Sequence, residues 1–237
     1  MLNQIVLDTL LWLTNYTHNI GLSIVVFTIL LKIVFLPATQ ASIKSAQKMK
    51  ELQPEIKKLQ IKYKKNPQAL QKAQMELYKK SKINPAAGCL PQLIQLALLI
   101  VLYQALLYFF KQVDGNSFGL SLRFLWFDIS KPDKLYILPL LTALSQFGLS
   151  WLMAWTGEKN KIVKEKKLVK KPGLSGEIVD TLGQTQKQML YLMPVMTGLI
   201  SISLPSGLVI YWLVSSLFGL VQQAYLMRNK IFKKVKI

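Results

Sequence analysis

Along this chain, apolar runs alternate with lysine-rich runs, and the apolar runs have the length of membrane helices. They lie at 20–38, 84–110, 135–155, 188–204 and 205–227. A bilayer core calls for about 20 residues of helix. The apolar centres of the first and fourth, Leu22–Leu36 and Met189–Ser203, are short, which a locally thinned bilayer accommodates. Leu204-Pro205-Ser206-Gly207 divides the last two. Proline and glycine there predict a tight turn between antiparallel helices rather than one long helix.

Between the first two runs, residues 39–83 follow a different period. Met49, Leu52, Ile56, Leu59 and Tyr63 form a heptad seam with lysines on the remaining faces. Asn66-Pro67 then reads as an N-cap followed by a first-turn proline. Leu70, Ala73 and Leu77 continue the seam on a second helix, so a helical hairpin is predicted. Pro54 lies inside the first seam and is expected to kink or restart that helix. Residues 1–19 mix Ile5, Leu7, Leu10, Leu11, Leu13 and Tyr16 with polar positions. This reads as an amphipathic helix lying in an interface, with Trp12 as its anchor. The stretch lacks a positive n-region and a small-residue cleavage site, so no cleavable signal is expected in it.

Charge orients the pattern. Of 30 Lys and Arg residues, 25 fall in 40–88, 156–188 and 228–237, on one side of a five-span alternation. Residues 1–19 carry none. The positive-inside rule puts the N-terminus outside and the C-terminus in the cytoplasm. The expected fold class is therefore all-α: a polytopic membrane protein with five transmembrane helices, a cytoplasmic helical hairpin and an N-terminal interfacial helix. An outer loop, 111–134, carries Phe118, Leu120, Phe124, Trp126 and Phe127 and is expected to close the outer end. A cytoplasmic loop, 156–187, and a basic cytoplasmic tail, 228–237, complete the chain. The absence of an Arg- and Ser-rich transit segment favours a bacterial plasma (inner) membrane.

A net charge of +19 beside 51% hydrophobic residues excludes most soluble classes. One cysteine, Cys89, and one histidine, His18, argue against disulfide frameworks and metal centres. No Gly-rich phosphate loop or acidic cluster is present, so neither an enzyme, a cofactor nor sequence-specific nucleic-acid binding is expected. Lys32 is the charge in the first span. A charge at that depth costs a few kcal/mol on insertion scales, roughly 2.5–3.5. It either snorkels to the interface or serves a site. Thr28 lies one turn earlier on the same face. Gln95, Gln104, Gln146, Gln222 and Gln223 are also costly in lipid and are expected inside the bundle. Interhelical hydrogen bonding is the favoured reading for Gln222 and Gln223, while Gln95 reads equally as glue or as a site residue.

Four blocks carry a family resemblance. They are Lys48-Met49-Lys50-Glu51-Leu52-Gln53-Pro54-Glu55; Asn84-Pro85-Ala86-Ala87-Gly88-Cys89-Leu90-Pro91-Gln92-Leu93; Phe124-Leu125-Trp126-Phe127-Asp128 with Tyr136-Ile137-Leu138-Pro139; and Pro205-Ser206-Gly207-Leu208-Val209-Ile210-Tyr211-Trp212. In this order they resemble the YidC insertase family, related to the mitochondrial oxidase-assembly and thylakoid Albino proteins. The resemblance implies a five-helix core with a groove open to the cytoplasm and to lipid. Lys32 stands where the family usually has arginine; lysine keeps the charge but loses the planar fork. Thr28 matches a groove residue that contacts the passing segment. Trp212 aligns with the family's contact tyrosine, and Tyr211 precedes it. Lys32, Thr28, Trp212, Tyr211 and Gln95 are thus the candidate substrate-groove residues.

The function implied is insertion of hydrophobic segments of nascent membrane proteins into the bilayer, without nucleotide hydrolysis. Implied partners are nascent membrane proteins, the ribosome through the basic tail and hairpin, anionic membrane lipids and, in one mode of action, the Sec translocon. Two alternatives stand beside it. One is a small transporter or channel with Lys32 as an anion site, although no internal repeat supports it. The other is a structural assembly factor that does not insert and needs no groove charge.

Overall fold

The computed structural model describes residues 2–64, 66–82, 84, 90–112, 122–165 and 191–235. The expectations for Cys89, for Phe118 and Leu120, and for most of the loop 156–187 fall outside the described residues. The helices are α1 (Leu2–Thr17), α2 (Ile20–Val34), α3 (Leu36–Lys62), α4 (Pro67–Lys80), α5 (Leu90–Gln112), α6 (Ile137–Glu165), α7 (Tyr191–Ser203) and α8 (Ser206–Val235). A two-stranded antiparallel hairpin, β1 (Arg123–Phe124) and β2 (Phe127–Asp128), pairs Arg123 with Asp128 and Phe124 with Phe127. The chain divides into two compact units.

The first unit comprises Met1–Phe35, Ile94–Leu152 and Leu190–Ile237. Its core is assembled at helical spacing. α1 contributes Val6, Leu7, Leu10 and Leu13; α2 contributes Ile20, Ile24 and Phe27; α5 contributes Leu102, Ala105, Leu106 and Phe109; and α8 contributes Leu208–Tyr211. Each helix has a second apolar face that nothing in the unit covers. On α5, exposed Leu96, Ile100, Tyr103 and Leu107 repeat at the same spacing as the buried residues on the other side. On α7, Leu192, Val195, Met196, Leu199 and Ile202 do the same. A helix apolar all round belongs in lipid, because an aqueous surface would have to hydrate that stripe. Leu93–Phe110 and Ser206–Arg228 are long and apolar enough to cross a bilayer, while Ile137–Met153 and Tyr191–Ser203 are shorter apolar helices.

Helix contacts in this unit rely on small side chains and hydroxyls, as expected where lipid supplies no hydrophobic drive between helices. A Cβ on Gly198 would come within 3.1 Å of the Ala143 Cβ, which marks how closely α7 approaches α6. Ser216 Oγ on α8 donates to Gln146 Oε1 on α6 at 3.1 Å. Between α1 and α2, Thr14 Oγ1 donates to Ser23 Oγ at 3.0 Å, and Thr17 Oγ1 pairs with the same oxygen at 2.7 Å.

The N-terminal ends of α2, α6 and α8 converge on the hairpin. Asn19 caps α2 by accepting from Leu22 N–H, and its Nδ2 donates to Arg123 O at 3.3 Å. At the start of α8, Ser206 N–H donates to Lys131 O at 2.9 Å and Gly207 N–H to Ile129 O at 3.0 Å. Asp133 caps α6, with Oδ1 accepting from Leu135 N–H at 3.1 Å and Oδ2 from Leu138 N–H at 2.9 Å. At α8 the four N–H groups that a helix start leaves open, Ser206 to Val209, are thus all met by protein carbonyls. Gly207 is needed for the fit: a Cβ there would meet Ile129 Cγ2 at 2.5 Å.

The second unit comprises Leu36–Leu93 and Met153–Met189. Asn66 accepts from Ala69 N–H at 3.0 Å and Pro67 opens α4, as the sequence predicted. The seam residues Met49, Leu52, Ile56, Leu59 and Tyr63 are half-buried, as are Leu70, Ala73 and Leu77. α3 and α4 pack on each other, and no described residue of α4 is fully buried.

Three boundaries differ from expectation. α3 runs without interruption through Pro54, so that proline does not restart it. α2 stops at Val34, short of Pro37: Phe35 N–H closes on Leu31 O at 2.9 Å, and α3 begins with Pro37 in its first turn. Proline has no N–H for the carbonyl four residues back, so the helix gives way before reaching it. Third, the basic tail continues α8 as helix as far as Val235.

Candidate functional site

Lys32 occupies the last turn of α2, inside the first unit. From Ile20 to Lys32 the helix climbs about 18 Å at 1.5 Å per residue, so the ammonium lies far from the sealed hairpin end. The open carbonyls at the end of α2 favour a cation there. Its side chain does not run out alone. Nζ donates to Gln95 Oε1 on α5 at 2.8 Å. No carboxylate among the described residues forms an ion pair with it.

Gln95 is the hinge of the arrangement. Its Oε1 takes the ammonium, while its Nε2 is buried with no hydrogen-bond partner. Tyr211 is 1% exposed, and its hydroxyl lies beside Gln95 and Ser215 without a properly formed hydrogen bond. Ser215 Oγ, one turn further along α8, is also unpartnered, as is Gln223 Oε1 two turns beyond that. Each unmet buried polar atom costs about 1–3 kcal/mol. Beside the ammonium, then, the helices enclose a buried strip of donors and acceptors that lack partners.

The sequence-derived candidates separate into two groups. Lys32, Gln95 and Tyr211 come together. Thr28 does not line open space: it is 0% exposed, and its hydroxyl donates to Ile24 O at 2.6 Å within its own helix. Trp212 is half-buried on α8, next to Tyr211. Ser215 escaped the sequence reading, although its place four residues after Tyr211, on the same helix face, was a usable signal. Gln146 bridges helices through Ser216. Gln223 is buried, but its Oε1 does not make the interhelical bond expected of it.

Outside the spans, and among the described residues, Asp128 is the carboxylate whose acidity the fold clearly changes. Burial works to raise its pKa, but the Ser130 hydroxyl and backbone N–H, with Lys131, outweigh it and hold the group below its ordinary value. Ser130 Oγ at 2.6 Å and Ser130 N–H at 2.9 Å both donate to Oδ1, and Lys131 Nζ lies 3.5 Å from Oδ2. Among the described residues no His, Cys, Asp and Glu cluster could hold a metal.

Residues 12–234 match the family described as 60Kd inner membrane protein. A Fusobacterium nucleatum protein named membrane protein insertase YidC is 36% identical over 216 residues, 91% of this chain and 89% of that protein. The chain belongs to the 60Kd inner membrane protein family. A relative of the same name from Geobacter sulfurreducens is 31% identical over 234 residues, 97% of this chain. One from Lawsonia intracellularis is 36% identical over 227 residues, 94% of this chain. The chain spans 38% of each of those two longer proteins. A solved structure described as an active YidC insertase with its first transmembrane domain resolved superposes with a TM-score of 0.61 at 24% identity. It covers 92% of this chain and 44% of that one, and it shows the fold. The 60Kd family description places such proteins in an inner membrane, in keeping with the apolar helices seen here.

Proposed function

We propose that this chain is a membrane protein insertase, which moves hydrophobic segments of nascent proteins from the cytoplasm into the bilayer through a hydrophilic groove around Lys32, without nucleotide hydrolysis. Family membership supports the insertase reading. The observation that carries the groove is the Lys32 ammonium held by Gln95 beside the unpartnered polar atoms of Gln95, Tyr211 and Ser215.

The mechanism is a lowered barrier. A substrate with a short acidic outer tail must carry that tail through hydrocarbon, at a cost of several kcal/mol. The groove offers it a positive charge and open hydrogen-bonding groups partway across. The apolar segment then passes Trp212 and leaves into lipid, driven by transfer out of water. Thr28 joins this contact surface when the wall formed by α2 and α8 opens, since it is enclosed at rest.

In this reading five spans cross the membrane, with the N-terminus outside and the C-terminus in the cytoplasm. α1 lies in the outer interface on Trp12 and Tyr16, both exposed. α3 and α4 form the cytoplasmic hairpin. Their lysines and the basic tail meet the ribosome and anionic lipid, and the protein acts alone or beside the Sec translocon.

The test is insertion into proteoliposomes with the Lys32→Ala and Lys32→Arg variants. Alanine should lower insertion of short-tailed single-span substrates, and arginine should restore it. A photo-crosslinker at Trp212 should capture a stalled nascent segment. Full insertion by the alanine variant, or capture of lipid alone, would remove the groove from the mechanism.

A further inference from the structure

Four non-glycine residues among those described hold positive φ: His18, Lys82, Leu125 and Tyr136. Two of them are large side chains at the hairpin end of the first unit. Leu125 forms the β1–β2 turn at φ 56° and is 71% exposed. Tyr136 precedes α6 at φ 55° and is 58% exposed. The left-handed region costs a residue with a Cβ about 1–2 kcal/mol, a cost glycine avoids. The fold thus keeps a bulky apolar group at each of two glycine-favouring positions and points it away from the protein. Packing does not explain the choice. A use outside the protein does.

The surroundings identify that use. Trp126 follows Leu125 at the tip, and Leu135 precedes Tyr136; both are exposed. The tip is stiff, because the Trp126 ring meets the buried Phe127 ring edge-on at 5.3 Å and Phe127 meets Phe124 at 5.9 Å. From Leu135 and Tyr136 the exposed apolar surface continues without a break onto α6, through Ile137, Leu140, Leu141 and Leu144. Arg123, Lys131 and Lys134 are exposed around it. The carboxylates nearby are engaged: Asp128 binds Ser130 and Lys131, and Asp133 caps α6. Aromatic and aliphatic groups ringed by cations, at the end of a lipid-facing stripe, match the headgroup level of a bilayer.

We propose that the Leu125–Trp126 tip and the Leu135–Tyr136 corner form a lipid anchor, sunk into the headgroup and upper acyl layer of a phospholipid leaflet. Arg123 and Lys134 lie at the level of the phosphates, with Lys131 beside them on Asp128. The anchor fixes the depth at which the sealed end of the bundle sits, and with it the depth of Lys32 at the far end of α2. It rests on the membrane placement proposed above.

The full chain carrying Cys89→Ser and Leu125→Cys is labelled with a polarity-sensitive fluorophore. It is reconstituted into phosphatidylcholine–phosphatidylglycerol vesicles. Leu144→Cys, in the exposed stripe of α6, is the reference. The label at 125 should emit at shorter wavelength than in detergent-free buffer. Nitroxides at headgroup depth should quench it more than mid-bilayer nitroxides, while the label at 144 shows the reverse order. Quenching at 125 by aqueous iodide, and by no lipid nitroxide, overturns the anchor. If the label at 144 still responds to the deep probe, the spanning reading survives; if it does not, both fall. A second variant separates anchoring from turn stability. Leu125→Gly relieves the backbone, so the turn should hold as well or better. A label placed by Trp126→Cys in that background should nevertheless lose lipid quenching. Unchanged quenching there also overturns the anchor.

Discussion

Replacing Lys32 and Gln95 together by apolar residues of similar size should leave the fold intact and abolish insertion. The magnitudes set this expectation. A lysine at the centre of a membrane helix costs about 2.5–3.5 kcal/mol on insertion scales, an upper bound for Lys32 in the last turn of α2. Its bond to Gln95 Oε1, 2.8 Å long, recovers about 1.5–3 kcal/mol, the range for hydrogen bonds to charged groups. The carbonyl end of α2 adds about 0.3–1 kcal/mol. These nearly cancel, so the ammonium is close to neutral for stability. Lys32→Met alone strands Gln95 Oε1. Lys32→Met with Gln95→Leu removes both partners, a change that is often neutral or stabilising. Unfolding of the double variant in mixed micelles should match the parent within about 1 kcal/mol, while protease-protected insertion of an acidic-tailed substrate falls to background. Loss of about 3 kcal/mol or more, the size of a broken buried charge network, would make the pair structural. Normal insertion by the double variant would refute the groove outright.

Other outcomes follow from the hairpin end and the helix contacts. Gly207→Ala forces a Cβ against Ile129 Cγ2, 2.5 Å away, and should destabilise the unit by about 1–3 kcal/mol in thermal unfolding. Asp133→Ala removes the acceptor for Leu135 and Leu138 N–H and should cost about 1–2 kcal/mol, whereas an unchanged melting midpoint would deny the cap. The native hairpin holds the pKa of Asp128 below its unfolded value, so its contribution is present above the unfolded pKa. It is lost as pH falls through the folded pKa. Melting of the parent should therefore drop on acidification in that range, and Asp128→Asn should flatten the drop; parallel curves would refute the assignment. Ser216→Ala should cost on the order of 0.6 kcal/mol through the lost bond to Gln146, with a matching, non-additive loss in Gln146→Leu.

Much of the architecture was legible because periodicity is local. The Asn66-Pro67 start of α4, the half-buried seam of α3 and the division at Pro205 all depend on neighbours within one or two turns. The misjudged boundaries have local causes too, but competing ones. Pro37 could end α2 or open α3, and it does both: α2 stops at Val34 and Pro37 sits in the first turn of α3. Pro54 sits where propensity calls for a break, yet α3 continues through it.

The candidate site was legible in part. An intramembrane lysine announces itself by its cost, so Lys32 was visible from the sequence. Gln95 was named as a candidate beside it, but their direct bond was not legible, since the two lie 63 residues apart in the chain. Thr28 shows the converse: helical spacing put it on the face of Lys32, but it is fully buried with its hydroxyl bonded to Ile24 O in its own helix.

Sequence alone determined the helical period, the apolar lengths, the excess of positive charge and the family, because each is written in residue types and short-range order. Tertiary structure decided which polar groups meet and which stay unmet. It showed that the carbonyls of Ile129 and Lys131 meet the first N–H groups of α8, while Gln95, Tyr211 and Ser215 keep buried polar atoms without a partner. That asymmetry arises from contacts between residues far apart in the chain, where hydrogen-bond geometry and side-chain volume, rather than composition, set the outcome.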